Sequence, residues 1–309
     1  MEKDSQKRHA FCIMAHDDTY CLKTLISLLD HPNNDIFLLI DKKSHKIRED
    51  ILQTHASRLT IIPPNKRIDI RWGGLSIVEG ELLLFKEALD AGEYAYLHLL
   101  SGADLPIKSM KYIHQTFETL PMGTNVITFS HGEKIEENLN FKTKYYHPFV
   151  ENQRFRKDGN PLHLATDLFA KSFRKTAVSL QRLIRFKRKW DGLTLKKGSQ
   201  WISITSEFAR YLVDRKNFIL KKFQGVICAD EIFVQTLIYN SPFRDTIYDY
   251  ERIKPCFWKI DWTRGNPYVW RDEDFTELME SESLFARKFS SFTDSEIIKK
   301  IEKAIQPEK

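Results

Sequence analysis

Residues 96–108 read YLHLLSGADLPIK. The apolar run from Tyr94 to Leu100 predicts a buried strand, since a short continuous apolar run closed by turn residues fits that element. It stops at Ser101-Gly102, and Ala103-Asp104-Leu105-Pro106 follows. Small residues, a carboxylate and a proline at this point place polar groups at the C-terminal edge of a strand. In open α/β sheets that edge is where ligands bind. The plain alternative is a strand-to-loop exit with no further role.

Working outward, the N-terminal side alternates strand and helix. His9 to Ala15 predicts a first strand. Asp17 to Thr19 offer N-caps for a helix running to about Leu29, with Leu22, Leu25, Ile26 and Leu29 at helical spacing. Asp30 to Asn34 reads as a turn, and Asp35 to Ile40 as a second buried strand followed directly by Asp41. Thr60 to Ile62 is a short third strand, and Arg71 to Gly74 a loop. Ser76 to Ala91 is amphipathic, with Ile77, Leu82, Leu83, Phe85 and Leu89 as its core positions. This alternation predicts an α/β fold: a mostly parallel central sheet with helices on both faces.

The C-terminal side is less regular. Asn125 to Phe129 reads as a strand, and 130–160 as a long polar and aromatic loop. Residues 171–197 carry ten basic residues against one acid, Asp191, with Leu180, Leu183 and Ile184 as a narrow apolar stripe. Gly198 to Trp201 leads into a strand, with a helix from Thr205. Helices are expected over Asp230–Ile238, Asp272–Met279 and Asp294–Ala304, and a strand over Phe257–Asp261.

Composition bounds the function classes. The chain has 309 residues, 42% of them hydrophobic, enough for a substantial core, and a modest net charge of +6. Cys12, Cys21, Cys228 and Cys256 form no CxxC, which suggests free thiols in a reducing compartment. The N-terminal apolar run is too short for a signal peptide, and no run is long enough to span a bilayer, so a cytoplasmic location is expected. GxGxxG, GxxxxGK[ST], GxSxG, HExxH and cysteine–histidine zinc spacings are all absent. A DxD pair occurs at Asp272-Glu273-Asp274, where helix capping is the better reading. Without a metal motif, a nucleotide diphosphate would have its charge met by Arg or Lys.

Six blocks, in order, carry a resemblance: HPNNDIFLLIDKKS (31–44), RWGGLSIVEGELLL (71–84), YLHLLSGADLPIKS (96–109), KGSQWISIT (197–205), DEIFVQTLIYNSPF (230–243) and LFARKFS (284–290). They resemble their counterparts in the core-2/I-branching β-1,6-N-acetylglucosaminyltransferase family, which also contains the peptide O-xylosyltransferases. The likeness runs from about residue 10 to 290. The compact length without a membrane anchor looks like a bacterial member. The resemblance implies a GT-A-like nucleotide-sugar fold in a single domain over 1–309, with a nucleotide-binding half over about 9–129, an acceptor and catalytic half over about 130–290, and a C-terminal helix over 291–309. It also implies an inverting mechanism that needs no metal or other cofactor.

The family's general base is the Glu of the block matched by Asp230-Glu231, so the resemblance assigns the base to Glu231. Independently, Glu231 follows an apolar segment at an edge where a carboxylate is partly buried, within reach of an acceptor hydroxyl. The alternative is that Asp230 and Glu231 simply complement a helix dipole. The family's diphosphate lysine matches Lys288, against the alternative of a solvated surface lysine. A second cation is assigned to Arg264 in DWTRGNP, with Arg271 as the other choice. Preorganised cations there stabilise a leaving group whose charge grows in the transition state. His16 and Asp41 follow the first two strands and are expected at the nucleotide, with Trp72 and Gly73 in a loop that approaches it. Asp104, Trp201 and Asp230 are expected near the donor or acceptor sugar, Trp201 through stacking on a pyranose face. Each has a core or capping alternative.

The expected activity is transfer of a sugar, N-acetylglucosamine first and xylose second, from a UDP-sugar to a saccharide acceptor in surface polysaccharide synthesis. A binding protein that has lost catalysis is the rival from another class; retention of Glu231 and Lys288 argues against it. The basic segment 171–197 reads as a solvated helix, or as a peripheral contact with an anionic membrane beside a lipid-linked acceptor. A nucleic-acid partner is not expected, since no nucleic-acid fold signature accompanies it.

Overall fold

The computed structural model describes residues 8–152, 161–251 and 257–306. In chain order the strands are β1 (His9–Ala15), β2 (Asn34–Ile40), β3 (Arg58–Ile61), β4 (Tyr96–Ser101), β5 (Asp104–Pro106), β6 (Val126–Phe129), β7 (Gly198–Ile204), β8 (Trp258–Ile260) and β9 (Phe285–Arg287). The helices are α1 (Thr19–Leu29), α2 (Ser76–Ala91), α3 (Met110–Glu118), α4 (Glu133–Thr143), α5 (Pro161–Leu183), α6 (Ser206–Asp214), α7 (Lys216–Phe223), α8 (Phe233–Tyr239), α9 (Phe275–Glu280) and α10 (Glu296–Ile305).

The main sheet has six strands in the order β3-β2-β1-β4-β7-β6. β1 to β4 are mutually parallel, and β7 runs antiparallel to both β4 and β6. The chain steps from β1 to β2 on one side, then crosses back from β3 to β4 on the other. Right-handed crossovers in opposite directions put their helices on opposite faces. Accordingly α1 packs with β5 and α10, while α2 packs with β1, β2, α6 and α7. This is the mostly parallel sheet, covered on both faces, that the alternation predicts.

Local chemistry sets the boundaries. Asp18 caps α1 by accepting from the Cys21 amide at 3.0 Å, and Leu22, Leu25, Ile26 and Leu29 are buried as their spacing requires. Thr205 caps α6 in the same way, accepting from Phe208 N at 3.3 Å. In α2 the buried face is Ile77, Val78, Leu82, Leu84, Phe85 and Ala88, with Leu83 and Leu89 half-buried. Cys12, Cys21 and Cys228 are free, buried thiols; Cys256 lies outside the described residues.

Four expectations are corrected. The exit from β4 is not a loop: Asp104–Pro106 becomes a strand of a second, three-stranded sheet, β5-β9-β8. The stretch 130–160 is not a plain loop, because α4 occupies Glu133–Thr143; 153–160 lie outside the described residues. Residues 229–231 form a short 3-10 turn ahead of α8, so Asp230 and Glu231 do not open an α-helix. The strand after the basic segment starts at Gly198 itself, which makes Gly198 to Trp201 part of β7.

Candidate active site

A cleft of about 1030 Å³ opens along the C-terminal edge of the parallel strands. The strand order reverses between β1 and β4, and a crevice at such a switch point is where open sheets bind ligands. Because β7 is antiparallel, its first residues, Gly198 to Trp201, come to this same edge beside the end of β4. Gly198 is required there: a Cβ would stand 1.7 Å from the Thr128 carbonyl oxygen of β6.

His16 and Asp41, one step beyond β1 and β2, both line the cleft. Asp41 is buried, accepting from Lys43 Nζ at 2.8 Å and from the Ile70 amide at 3.3 Å. It therefore ties down the loop that carries Trp72, which lines the cleft and is half-exposed. Gly73 is not in the wall. Its φ of 76° makes the turn, and its carbonyl accepts from Cys228 N at 3.0 Å, anchoring the segment just before Asp230.

Two cations enter from the end of β9, Arg287 and Lys288. Arg287 donates through Nη1 to the fully buried Asp104 at 2.7 Å and to the Ser101 hydroxyl, and its guanidinium stands 4.3 Å over the Trp201 ring. Asp104 also accepts from the Ser101 amide at 2.7 Å. Burial pushes the Asp104 carboxyl up, against the pull of Arg287. Asp104 thus does not line the cleft; it fixes a residue that does. Trp201 does line it, with Arg287 covering part of its ring.

Arg264 does not reach the cleft wall. Its guanidinium is held by three carboxylates, Asp261, Asp274 at 2.7 Å and Glu277 at 3.1 Å. The two-cation arrangement expected from Arg264 and Lys288 is formed instead by Arg287 and Lys288. The Asp272–Asp274 triplet serves as a cap: Asp274 accepts from Arg271 N at 2.8 Å, and Asp272 pairs with Lys300.

Across the cleft stand Asp230 and Glu231. Glu231 Oε2 takes both Lys142 Nζ at 2.7 Å and Lys197 Nζ at 3.0 Å, while Oε1 takes no hydrogen bond from the described residues. Burial alone would raise this carboxyl, but the two lysines outweigh it and hold Glu231 below the usual Glu range. Asp230 is raised to about 7, first by burial and then by the neighbouring Glu231 charge. Its Oδ1 is buried without a hydrogen-bond partner. Behind them lies buried Glu81, pushed well up by burial and by Asp230; Gln200 Nε2 donates to its Oε1 at 2.8 Å. A pair of carboxyls whose affinities for protons are driven apart is the usual arrangement for acid–base work.

Arg287, Lys142, Lys197 and Glu81 are site residues that sequence reasoning did not single out. Arg287, Lys197 and Glu81 lay inside the quoted blocks, next to or near residues that were named. Lys142 offered no signal, since it comes from α4 in the supposed loop.

The family model described as "Core-2/I-Branching enzyme" matches residues 9–276. A xylosyltransferase of Caenorhabditis briggsae, sqv-6, is 22% identical over 91% of this chain and 34% of its own length. Xylosyltransferase 2 of Rattus norvegicus is 20% identical over 90% of this chain and 31% of its own. The chain therefore spans about a third of the length of these relatives. Mouse xyloside xylosyltransferase 1, in its apo form, aligns with a TM-score of 0.39 at 10% identity, covering 90% of this chain and 96% of that one. With its family model matched over most of its length, the chain belongs to the core-2/I-branching enzyme family.

Proposed function

We propose that this chain is an inverting glycosyltransferase that moves a sugar from a UDP-sugar to a hydroxyl of a saccharide acceptor, without a metal ion. The reading rests on one juxtaposition: paired cations, Arg287 and Lys288, share a cleft with a carboxylate, Glu231, that has one oxygen open. The uridine lies towards His16, Asp41 and Trp72, and the diphosphate against Arg287 and Lys288. Glu231 Oε1 takes the proton of the acceptor hydroxyl as its oxygen bonds to the anomeric carbon from the face opposite UDP. The carbon–phosphate-oxygen bond breaks in the same step, and the charge left on UDP is met by the two cations.

N-acetylglucosamine is the first donor sugar, from the resemblance to the N-acetylglucosaminyl branch of the family. Xylose is the second, favoured by the names of the relatives above. The setting proposed is the cytoplasmic side of a cell membrane, in surface polysaccharide synthesis; the buried free thiols fit a reducing compartment.

Calorimetric titration with UDP, UDP-N-acetylglucosamine and UDP-xylose, in EDTA and again with manganese, tests the proposal. The expected result is UDP-sugar binding and slow donor hydrolysis that survive EDTA. Absence of nucleotide binding, or activity restored only by manganese, would overturn it.

A further inference from the structure

One helix of the structure turns an apolar face to solvent. On α5, Asp167, Ala170, Val178 and the half-buried Arg174 and Gln181 recur at spacings of three and four and turn inward. Asp167 reaches the wall of the catalytic cleft. Leu162, Phe169, Phe173, Leu180 and Leu183 recur on the opposite side and face solvent, with Leu162, Phe169 and Leu183 at 69%, 64% and 79% exposure. A stripe of this size on one helix is far beyond the scattered surface apolar residues a folded chain carries.

The exposed charge on this helix is of one sign. Lys171, Lys175 and Arg182 follow along one flank of the helix. Past its end the chain turns into a basic cavity of about 890 Å³, separate from the catalytic cleft. Arg188 and Lys222 hold that cavity together: Arg188 donates to the Gln224 carbonyl at 2.7 Å and lies over Tyr146 and Trp190, and Lys222 pairs with Asp191. Arg185, Lys187, Lys189 and Lys221 line it and pair with no carboxylate among the described residues. Phe186 and Phe218 are exposed at the same place.

We infer that the outward face of α5 and the adjoining basic cavity form a docking surface for an anionic phospholipid bilayer. Exposed Phe and Leu enter the acyl boundary while flanking Lys and Arg meet the headgroup phosphates, as in interfacial helices that lie in the membrane plane. Among the described residues, no helix is long and apolar enough to cross the membrane. A second copy of the chain fits less well, because it would set cations against cations. A nucleic acid would leave the exposed Phe and Leu stripe unused. With α5 lying on the bilayer, the cleft wall at Asp167 stands about one helix diameter, ~10–12 Å, above it. That is within reach of an acceptor held by a lipid.

Flotation of the full chain with phosphatidylcholine vesicles, and with vesicles also containing phosphatidylglycerol, tests this at low and high salt. Binding is expected to the anionic vesicles alone and to weaken with salt. Lys187→Gln with Lys189→Gln should lower it about 25-fold, near fivefold for each lysine. Phe169→Ser with Phe173→Ser should abolish it, with far-UV circular dichroism and UDP binding unchanged. The inference fails if neutral and anionic vesicles bind alike, or neither binds. It fails if the serine pair disperses a stable dimer. It also fails if single-stranded RNA binds more tightly than the anionic vesicles and ignores the serine pair. None of these outcomes depends on which donor sugar is used.

Discussion

Asp104 Oδ1 lies 2.7 Å from Nη1 of Arg287, so a carboxylate with no exposure of its own aims the guanidinium that faces the cleft. Removing Arg287 alone leaves a lone buried carboxylate, which costs about 3–5 kcal/mol. Arg287→Met should therefore unfold at a much lower temperature than wild type, and Asp104→Asn with Arg287→Met should recover most of the loss. Both variants should bind UDP about 10–100-fold more weakly, because a charged hydrogen bond worth ~1.5–3 kcal/mol is gone from each. Thermal melts paired with calorimetry separate the two effects. Recovery of UDP affinity in the double variant would show that Arg287 acts on the fold alone.

Glu231→Gln should lower transfer by about 10²–10⁴ and leave UDP-sugar affinity nearly intact. The pH dependence of kcat identifies the base. The lysines favour ionised Glu231, so its acid limb should fall below the ordinary Glu value of 4.5. Lys142→Met removes one of those charges, so burial is opposed less and the limb should move to higher pH. Were Asp230 the base, wild-type activity would already halve near pH 7. A rate profile from about pH 3.5 to 8, fitted for both proteins, decides between them.

Gly198→Ala should disturb the site through the sheet. Its new Cβ would overlap the Thr128 carbonyl oxygen, which is backbone and cannot move aside alone. Strands β6 and β7 must part at this end, carrying Lys197, Gln200 and Trp201 with them, at about 1–3 kcal/mol. Gly92→Ala is the control, since the nearest atom to its Cβ would be 3.5 Å away. Equal melting temperatures and activities for the two variants would remove the steric argument.

Stability should decline as pH falls below about 6.5. His98 bridges Ser203 at 2.7 Å and His9 at 2.9 Å in the core, and burial, then neighbouring histidines, holds both rings well below that ordinary value. Below it the unfolded chain takes up protons that the folded chain refuses, so stability is full above pH 6.5 and is lost on acidification. Each ring contributes a slope of about 1.4 kcal/mol per pH unit. Urea unfolding at pH 7, 6 and 5 measures it. A flat line down to the carboxylate range would mean these rings protonate in place.

The first half of the fold was legible because local signals agree with tertiary demand. In α1 and α2 the apolar period and the ends coincide, and β1 and β2 are continuous apolar runs. The short strand Asp104–Pro106 was not legible, since its partner β9 lies about 180 residues away, as the 183-residue separation of Asp104 from Arg287 shows. Segment Glu133–Thr143 buries only Thr143, which leaves little apolar period to read. The site divides the same way. His16, Asp41 and Trp201 line the cleft, at the sheet edge their place in the sequence indicates. Arg264 was misplaced because three carboxylates, brought together only by folding, claim its charge. Lys142 was missed because it meets Glu231 across 89 residues.

The two sheets are joined by almost no chain. β4 ends at Ser101 and β5 begins at Asp104, and Arg287 is bonded to both of these residues. A strand passing so directly from one sheet to the other has no hinge, and the bridging arginine locks the corner. Arg287 is thus held in the frame where the two sheets meet. Any widening of the cleft must be borne by the opposite wall, where Glu231 is held by lysines from α4 and from the residue before β7.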